Sequence, residues 1–479
     1  MYEAFGLFID GEWRAAKGGG VVDVIDPATE ERVGAIPRAS LGDLDDALAA
    51  AAKAQGEWAA TSGWERSRIL RAIADILRGV VNDAADMMAR ESGKPLAEAR
   101  GEFNAAIDQF DWYADEARRI FGHSLGGRDP GVQLNVVYNP VGPVAAFTAW
   151  NFPALLPARK ISAALAAGCT VILKPSGETP SSAFYFAEAA RLAGLPRGVL
   201  SVLTGDSAEI SHHLIASPII KKVSLTGSVP IGKQIMKLCA EGLKRISLEL
   251  GGHAPVIVFD DVDPVAVGRA CAAAKFRNNG QVCISPSRFY VHASIKEPFA
   301  DAMAQSARAL RLGSGVDPDV TCGPMINSRG RERVDGLVRD AIERGASVLA
   351  GGGRPSNFNR GYFFEPTVLD DVSDDARVMQ EEPFGPIAPI STFVDTDDVI
   401  RRANSTPFGL AGYVFSNSLT NANSAAAALE VGMVGVNDMM LATAEAPFGG
   451  VKESGFGREG GQIGILDYLE PKYIKMRHA

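Results

Sequence analysis

The feature that most constrains the fold is a regular alternation of short β-branched runs with helical segments between residues 144 and 250. Strand-like runs lie at 144–147, 171–173, 200–203, 223–225 and 246–250. Segments with helical periodicity lie between them, at 181–193, 206–216 and 230–242. This alternation is typical of parallel strands that are covered by helices on both faces. The sequence therefore predicts an α/β fold built on a parallel sheet.

A second series of the same kind begins near Ala254. It includes apolar runs at 256–259 and 287–291, and we expect it to extend to the glycine-rich segment 445–461. Before the first series, residues 65–121 predict two or three amphipathic helices, and residues 132–138 predict a strand. A chain of 479 residues is too long for one hydrophobic core, so we expect two or three substructures.

Charge and composition exclude several classes of partner. Nucleic-acid binding requires clustered Lys and Arg that neutralise phosphates, and the formal net charge of −9 does not support it. We therefore expect no nucleic-acid partner. The Ala-rich stretch 47–54 is too short to span a bilayer, and residues 1–6 do not begin a secretory signal, so we expect no membrane association. Five widely spaced cysteines without a CxxC pair fit a reducing cytoplasm, and the six histidines do not pair with them at metal-ligand spacing.

Two residues have the setting of catalytic groups. Cys283 ends the polar, glycine-containing segment 278–283. A lone cysteine is more often a small buried hydrophobic residue, but this setting would leave its thiol accessible. Glu249 lies between two leucines at a predicted strand end. It is either a mispaired core residue or a carboxyl group with the raised pKa that a general base needs.

Two further segments follow predicted strands. Asn151 could be an ordinary turn residue or an amide donor. The turn at Gly227 and Ser228 leads into a helix with Pro230 near its start, and its backbone donors could face a pyrophosphate. Each of the four segments, those of Cys283, Glu249, Asn151 and Gly227, has an ordinary interpretation when it is taken alone. Their occurrence together in this order is not plausibly accidental.

With these segments together, the sequence resembles the aldehyde dehydrogenase superfamily over essentially its whole length. The matching motifs lie at 140–143, 150–153, 174–176, 226–228, 248–252, 280–283, 381–386, 404–409 and 447–460. The resemblance implies a Rossmann-like cofactor domain, an α/β catalytic domain and a small β oligomerisation extension in a homodimer or homotetramer. The implied bounds are 1–121 and 141–251 for the cofactor domain, 252–450 for the catalytic domain, and 122–140 and 460–479 for the extension.

The resemblance also implies a reaction at Cys283. Its thiolate would attack an aldehyde, and the Asn151 amide and the Cys283 backbone N–H would stabilise the resulting oxyanion. After hydride transfer to the cofactor leaves a thioester, Glu249 would activate the hydrolytic water. The implied cofactor-binding residues are Trp150, Lys174, Ser176, Gly177, Gly227, Ser228, Glu382 and Phe384.

Gly177 departs from the family pattern, which often has a glutamate that pairs with the adenosine ribose. Without that carboxylate a 2′-phosphate meets no repulsion, and Lys174 could help to hold it. We therefore expect NADP, or both NADP and NAD, as cofactor. Glu178 is one residue away and could replace the missing group.

Arg159, Arg277 and Thr443 occupy positions that resemble the carboxylate-binding residues of succinate-semialdehyde dehydrogenases. Two guanidinium groups and a hydroxyl would suit the far carboxylate of a semialdehyde such as succinate semialdehyde. The segment 439–441, Met-Met-Leu, could instead line a wider mouth for an aromatic or longer keto-acid aldehyde. The presence of Cys283 with Glu249 argues against a non-catalytic relative and against the branch that transfers the acyl group to coenzyme A.

Overall fold

The computed structural model describes Tyr2 and residues 5–478, so parts of the predicted segments 1–6 and 460–479 lie outside the described residues. The helices are α1 (Leu41–Ala60), α2 (Gly63–Arg78), α3 (Val81–Ser92), α4 (Leu96–Glu116), α5 (Leu155–Ala167), α6 (Ser181–Leu192), α7 (Ser207–Ala216), α8 (Val229–Glu241), α9 (Pro264–Phe276), α10 (Lys296–Ala309), α11 (Ser328–Glu343), α12 (Arg377–Gln380), α13 (Thr396–Ala403), α14 (Leu419–Ala428) and α15 (Gly461–Leu466).

The strands are β1 (Leu7–Ile9), β2 (Glu12–Arg14), β3 (Val21–Ile25), β4 (Arg32–Pro37), β5 (His123–Gly126), β6 (Val132–Pro140), β7 (Val144–Phe147), β8 (Val171–Lys174), β9 (Leu200–Val202), β10 (Lys222–Thr226), β11 (Arg245–Glu249), β12 (Ala254–Val258), β13 (Pro286–His292), β14 (Ser347–Ala350), β15 (Thr367–Asp370), β16 (Ile387–Phe393), β17 (Ala411–Phe415), β18 (Met433–Val436), β19 (Gly455–Phe456) and β20 (Leu469–Arg477).

The first predicted series forms five strands, β7 to β11, of an eight-stranded sheet in the order β19-β11-β10-β7-β8-β9-β1-β2. Its strands from β11 to β9 are parallel. Every residue of β7, β8 and β10 is buried, as expected for strands covered on both faces. The predicted helices at 65–121 are α2, α3 and α4.

The second series forms a seven-stranded sheet in the order β14-β15-β16-β13-β12-β17-β18, parallel except for its pairing between β14 and β15. The helix α9 leads from β12 towards the Cys283 segment. It begins where the Asp263 side chain accepts the N–H groups of Val265 and Ala266, with Pro264 in its first turn. Proline has no N–H group, and a residue in the first turn of a helix does not need one for the helical hydrogen bonds. The Asp263 cap and Pro264 therefore define the start of α9.

The second series ends earlier than expected, before the glycine-rich segment 445–461. Its last strand is β18, and β19 pairs instead with β11 of the first sheet. Gly455 has φ of +107°, and a Cβ there would lie 2.0 Å from the carbonyl oxygen of Leu248. Glycine therefore allows this segment to approach the edge of the first sheet, which spacing along the chain does not reveal.

The predicted strand at 132–138 is β6, the centre of a three-stranded antiparallel sheet with β5 and β20. Almost every residue of β20 is exposed. Strands β7–β11 lie in the predicted cofactor domain and strands β12–β18 in the predicted catalytic domain. Strands β5, β6 and β20 lie in the predicted extension. The bounds of the three domains remain predictions. Within the part of the chain described, no helix is both long and apolar enough to cross a membrane.

Candidate active site

Four of the predicted site residues lie where parallel strands of the first sheet end. Asn151 follows β7, Lys174 ends β8, Gly227 follows β10, and Glu249 ends β11. The carboxyl ends of parallel strands share one edge of a sheet, and ligands bind there in open α/β folds. The structure therefore places these four residues, far apart in sequence, along a single edge.

The Cys283 segment comes from the second sheet's side and has an unusual backbone. Asn278 and Asn279 have φ of +47° and +53°, a left-handed conformation that costs on the order of 1–3 kcal/mol per residue. The Asn278 N–H donates to the Glu98 carboxylate at 2.8 Å, and its side chain donates to the Asn151 carbonyl oxygen at 3.0 Å. These contacts from the first sheet's side hold the segment that leads into Cys283.

Glu249 has the character of a buried base. Burial raises the pKa of Glu249 to about 7, repulsion from Glu459 adds to the rise, and the nearby Lys160 and Arg159 cations oppose it. Neither carboxyl oxygen bonds to an N–H or O–H group of the described residues, and the group that interacts with them is the Cys283 thiol. A carboxyl group with a pKa near neutrality can accept a proton, which is the property predicted for Glu249.

Cys283 lies beside Glu249. Burial raises the pKa of the Cys283 thiol well above its ordinary value, and the charges of Glu249 and Glu382 raise it further, while Arg159 lowers it. Cys283 is thus a protonated thiol at neutral pH in this state. A thiol of this kind needs a neighbouring base before it can act as a nucleophile, and Glu249 is placed to be that base.

Asn151 is 4% exposed, and its side chain faces the Cys283 segment. Its Nδ2 donates to the carbonyl oxygen of Gln281 at 3.1 Å. A primary amide has two N–H groups, so one remains available to a ligand. The backbone carbonyl oxygen of Asn151 accepts from Lys94 at 2.8 Å as well as from Asn278.

A second pair of buried charges, not predicted from the sequence, lies near Glu249. Lys160 and Glu459 form an ion pair in which the side chains are 0% and 7% exposed. Lys160 also donates to Ser224 Oγ at 3.1 Å. The sequence does contain a sign of this ion pair. Lys160 directly follows Arg159 in a segment that is otherwise almost entirely apolar. A lysine in such a segment is buried only when it has an acidic partner.

Glu382, predicted to hold the nicotinamide ribose, accepts the N–H of Gly252 at 2.9 Å. Burial raises the pKa of Glu382 to about 7, against the effects of the Gly252 N–H, Arg333 and Lys275. Phe384 lies edge-on to Trp150, with 5.5 Å between ring centres. The structure therefore brings Trp150, Glu382 and Phe384 to the same region as Cys283 and Glu249.

The residues predicted at the adenosine end lie around β8. Lys174 donates to Ser207 Oγ at 2.6 Å. Ser176 donates to Glu178, whose charge raises the pKa of Lys174, although burial lowers that pKa more strongly. Glu178 therefore places a negative charge near Lys174, one residue after Gly177.

Two observations fit a dinucleotide at this edge. Ser228 precedes α8, and its side chain makes no capping hydrogen bond, so the first N–H groups of α8 remain available to an anion. A Cβ at Gly177 would meet no atom within 4 Å, so there is open space beside Lys174. The predicted residues thus offer donors for phosphate and space for a ribose.

The three predicted substrate residues lie in different surroundings. Arg159 is 2% exposed, and its guanidinium carbon lies 4.1 Å from the centre of the Phe448 ring. Arg277 is partly buried, and its guanidinium carbon lies 5.4 Å from the centre of the Phe152 ring. Thr443 lines a separate cavity of about 470 Å³ beside α4. The structure links Arg159 to Cys283 and Glu249 electrostatically, but it does not show all three residues converging on one point.

Comparison with known proteins adds an independent finding. The model of the aldehyde dehydrogenase family matches residues 13–474. A glutarate-semialdehyde dehydrogenase of Pseudomonas putida is 44% identical over 467 residues, which cover 98% of this chain and 96% of that protein. An NADP(+) succinate-semialdehyde dehydrogenase of Escherichia coli is 43% identical, with coverage of 97% and 96%. A solved structure of an E. coli NADP-dependent enzyme has a TM-score of 0.97 and 42% identity, covers 99% of this chain and 98% of that one, and confirms the predicted fold.

Proposed function

Since the chain belongs to the aldehyde dehydrogenase family, whose members use NAD(P), we propose that it oxidises an aldehyde with a distal carboxylate to the corresponding acid. Succinate semialdehyde and its five-carbon homologue are the substrates that we favour. The similar proteins named for succinate and glutarate semialdehydes support this class.

The observation that carries the proposal is the burial of Arg159 without hydrogen-bond acceptors for part of its guanidinium group. Arg159 is almost fully buried, yet its Nε and Nη2 have no hydrogen-bond partner among the described residues. A buried guanidinium without an acceptor costs free energy, so its retention next to the thiol calls for an anionic ligand. A carboxylate accepts two parallel hydrogen bonds from a guanidinium, which suits this geometry.

The first half of the proposed reaction uses Cys283, Glu249 and Asn151. As Cys283 Sγ bonds to the aldehyde carbon, the thiol proton passes to Glu249. The aldehyde oxygen becomes an oxyanion that accepts from the Asn151 amide and the Cys283 backbone N–H. A bound NAD(P), held at its nicotinamide end by Glu382 and Phe384, would supply the acceptor for the hydride that leaves this carbon. A thioester on Cys283 remains.

The second half returns the enzyme to its starting state. Glu249, after releasing its first proton, accepts a proton from a water molecule whose oxygen attacks the thioester carbon. The C–S bond breaks, the acid leaves, and Glu249 returns the proton taken from water to the Cys283 thiolate. Because the pKa of Glu249 is about 7, the carboxyl group can both take and release protons near neutral pH. This use of water, rather than coenzyme A, is what we propose for the chain.

Replacing Arg159 by alanine tests the substrate class. A charge-assisted hydrogen-bond pair contributes about 1.5–3 kcal/mol. The ratio of kcat/KM for succinate semialdehyde to kcat/KM for butanal should therefore fall roughly ten- to a hundredfold. The ratio is the appropriate readout because Arg159 also affects the pKa of Glu249 and Cys283, and that effect reduces the rate on both aldehydes. Arg159→Lys should recover part of the loss.

Arg66→Ala is the matched control. Arg66 is also mostly buried and donates to the Thr61 carbonyl oxygen, so its loss should cost stability and leave the ratio unchanged. Arg277→Ala asks whether the second cation shares the carboxylate or only supports the Cys283 segment. If Arg159→Ala slows both aldehydes alike, the proposed substrate class is wrong, and only a general aldehyde dehydrogenase remains.

We further propose NADP, or NADP and NAD together, as cofactor, and Gly177→Glu tests this preference. The open space at Gly177 should accept the new side chain, whose charge would lie near a 2′-phosphate. NADP affinity should fall by about 1–3 kcal/mol more than NAD affinity. Glu178→Gln should act in the opposite direction, because Glu178 already places a charge near Lys174. Equal changes for both cofactors would show that Gly177 does not face the ribose.

We also propose a homodimer or homotetramer that assembles through residues 122–140 and 460–479. In the sheet that these segments form, Leu125, Val137, Tyr473 and Ile474 are exposed apolar residues. A strand edge with exposed apolar side chains favours pairing with a second copy. We place the enzyme in the cytoplasm because all five cysteines are free.

A further inference from the structure

A buried ion pair outside the proposed catalytic set lies directly behind Asn151. Lys94 lies between α3 and α4, Glu102 lies in α4, and their side chains are 1% and 2% exposed. The desolvation of two charges at this depth is costly, and their mutual attraction offsets it only when further hydrogen bonds are present. The other partners of the two residues therefore indicate what the pair does.

Lys94 contacts the segment that carries the proposed oxyanion donor. Its Nζ donates to the backbone carbonyl oxygen of Asn151 at 2.8 Å. It also lies 4.6 Å from the centre of the ring of Phe152, the next residue. Both contacts fix the peptide unit from which the Asn151 side chain projects.

Glu102 holds the other end of the same turn. Its Oε1 accepts the N–H groups of Ala154 at 2.8 Å and Leu155 at 3.2 Å. These are the unpaired donors at the start of α5, which a carboxylate satisfies well. The ion pair therefore links both ends of the turn between β7 and α5, and Asn151 lies within that turn.

An oxyanion donor is effective only when it is already aligned with the position where charge develops. The Asn151 side chain is aligned on one side by Gln281, in the Cys283 segment. The backbone of Asn151 is held on the opposite side by Lys94 and Glu102. Without the pair, the turn could move away from Cys283 and the remaining amide N–H would lose its direction.

We propose that Lys94 and Glu102 are positioning residues that align the Asn151 amide for the oxyanion. The inference rests on the proposed function, because it assumes that Asn151 stabilises an oxyanion. Neither residue exchanges a proton or touches the aldehyde. Their contribution is confined to steps in which negative charge develops on the aldehyde oxygen.

A double-mutant cycle with Lys94→Met and Asn151→Ala tests this inference. Removing one oxyanion donor costs about 10²–10³ in rate, so Asn151→Ala should slow the first turnover by that factor. Lys94→Met should slow it by roughly ten- to a hundredfold in the native background and by less than about threefold in the Asn151→Ala background, because groups that act through each other are not additive.

The rate of alkylation of Cys283 by iodoacetamide separates loss of alignment from general structural damage. Structural damage near Cys283 would change this rate. In that reaction the thiol proton passes to Glu249, Sγ forms a C–S bond and iodide leaves, and no oxyanion develops, so Lys94→Met should leave its rate unchanged. Lys296→Met is the matched control, because Lys296 pairs with Asp370 at 2.7 Å in another part of the fold. We expect it to reduce stability and to leave the first turnover intact.

Glu102→Gln repeats the cycle without removing the side chain, in case Lys94→Met fails to fold. The inference is wrong if the effects of the two substitutions are additive, if alkylation slows together with the first turnover, or if neither pair variant slows it. Full activity of Asn151→Ala by itself would instead show that Asn151 is not an oxyanion donor, and the proposed mechanism would fail first.

Discussion

Replacing Cys283 by alanine should abolish aldehyde oxidation, with no detectable burst of reduced cofactor. In the proposed reaction the thiol forms the only covalent bond to the substrate, and no neighbouring group can replace it. Cofactor affinity should remain near its original value, because Cys283 lies beside the site where the hydride leaves and not among the predicted phosphate or ribose contacts. Rapid-mixing absorbance of the reduced nicotinamide and a separate binding titration measure the two effects.

Cys271→Ala is the control for the loss of a thiol. Cys271 is fully buried in α9, and burial raises the pKa of its thiol far above the ordinary value, so it cannot supply a thiolate. Its replacement should reduce stability and spare turnover. Measurable oxidation by Cys283→Ala would exclude the thioester mechanism.

Replacing Glu249 by glutamine should nearly stop steady-state turnover. Glutamine keeps the size of the side chain and removes the base that activates water, and a positioned base contributes about 10²–10⁴ in rate. The first turnover should also slow at neutral pH, because the base that takes the thiol proton is gone while burial and the Glu382 charge still raise the pKa of Cys283. It should recover as the pH rises towards the pKa of the thiol, whereas hydrolysis of the thioester should not recover.

The pH profile gives the second readout for Glu249. A base is active only when ionised, and the pKa of Glu249 is about 7. The native kcat should therefore decline about tenfold per pH unit below that value, and Glu249→Gln should lose this limb. Glu91→Gln is the control: Glu91 is another buried carboxyl group, with a pKa raised to about 8, but it bonds to Tyr2 and Ser181. An unaltered steady state in Glu249→Gln would remove Glu249 from the mechanism.

The first sheet and the residues at its edge could be predicted from the sequence because their causes are local. Apolar runs of strand length alternate with helical periods, and this pattern determines which faces are buried. A polar residue at the end of such a run, as at Asn151 or Glu249, must lie at the sheet's carboxyl edge. The family match confirms the resemblance that these motifs indicated.

The surroundings of the three predicted substrate residues could not be predicted from the sequence. The sequence places Arg159, Arg277 and Thr443 near the motifs, but it cannot say which rings or cavities their side chains meet. Arg159 is buried against Phe448, whereas Arg277 lies over Phe152 and Thr443 lines another cavity. Side-chain direction depends on packing between distant segments, so only Arg159 has surroundings that argue for a ligand.

The sequence by itself determined the α/β class, the nucleophile and base candidates, and the strand ends that carry them, because each depends on the pattern of nearby residues. Tertiary structure alone decided that Glu249 has a pKa near 7, that Lys160 pairs with Glu459, and that Lys94 supports Asn151. A pKa and a buried ion pair depend on desolvation and on charges a few ångströms away. Lys160 and Glu459 are 299 residues apart in sequence, so only folding brings their charges together.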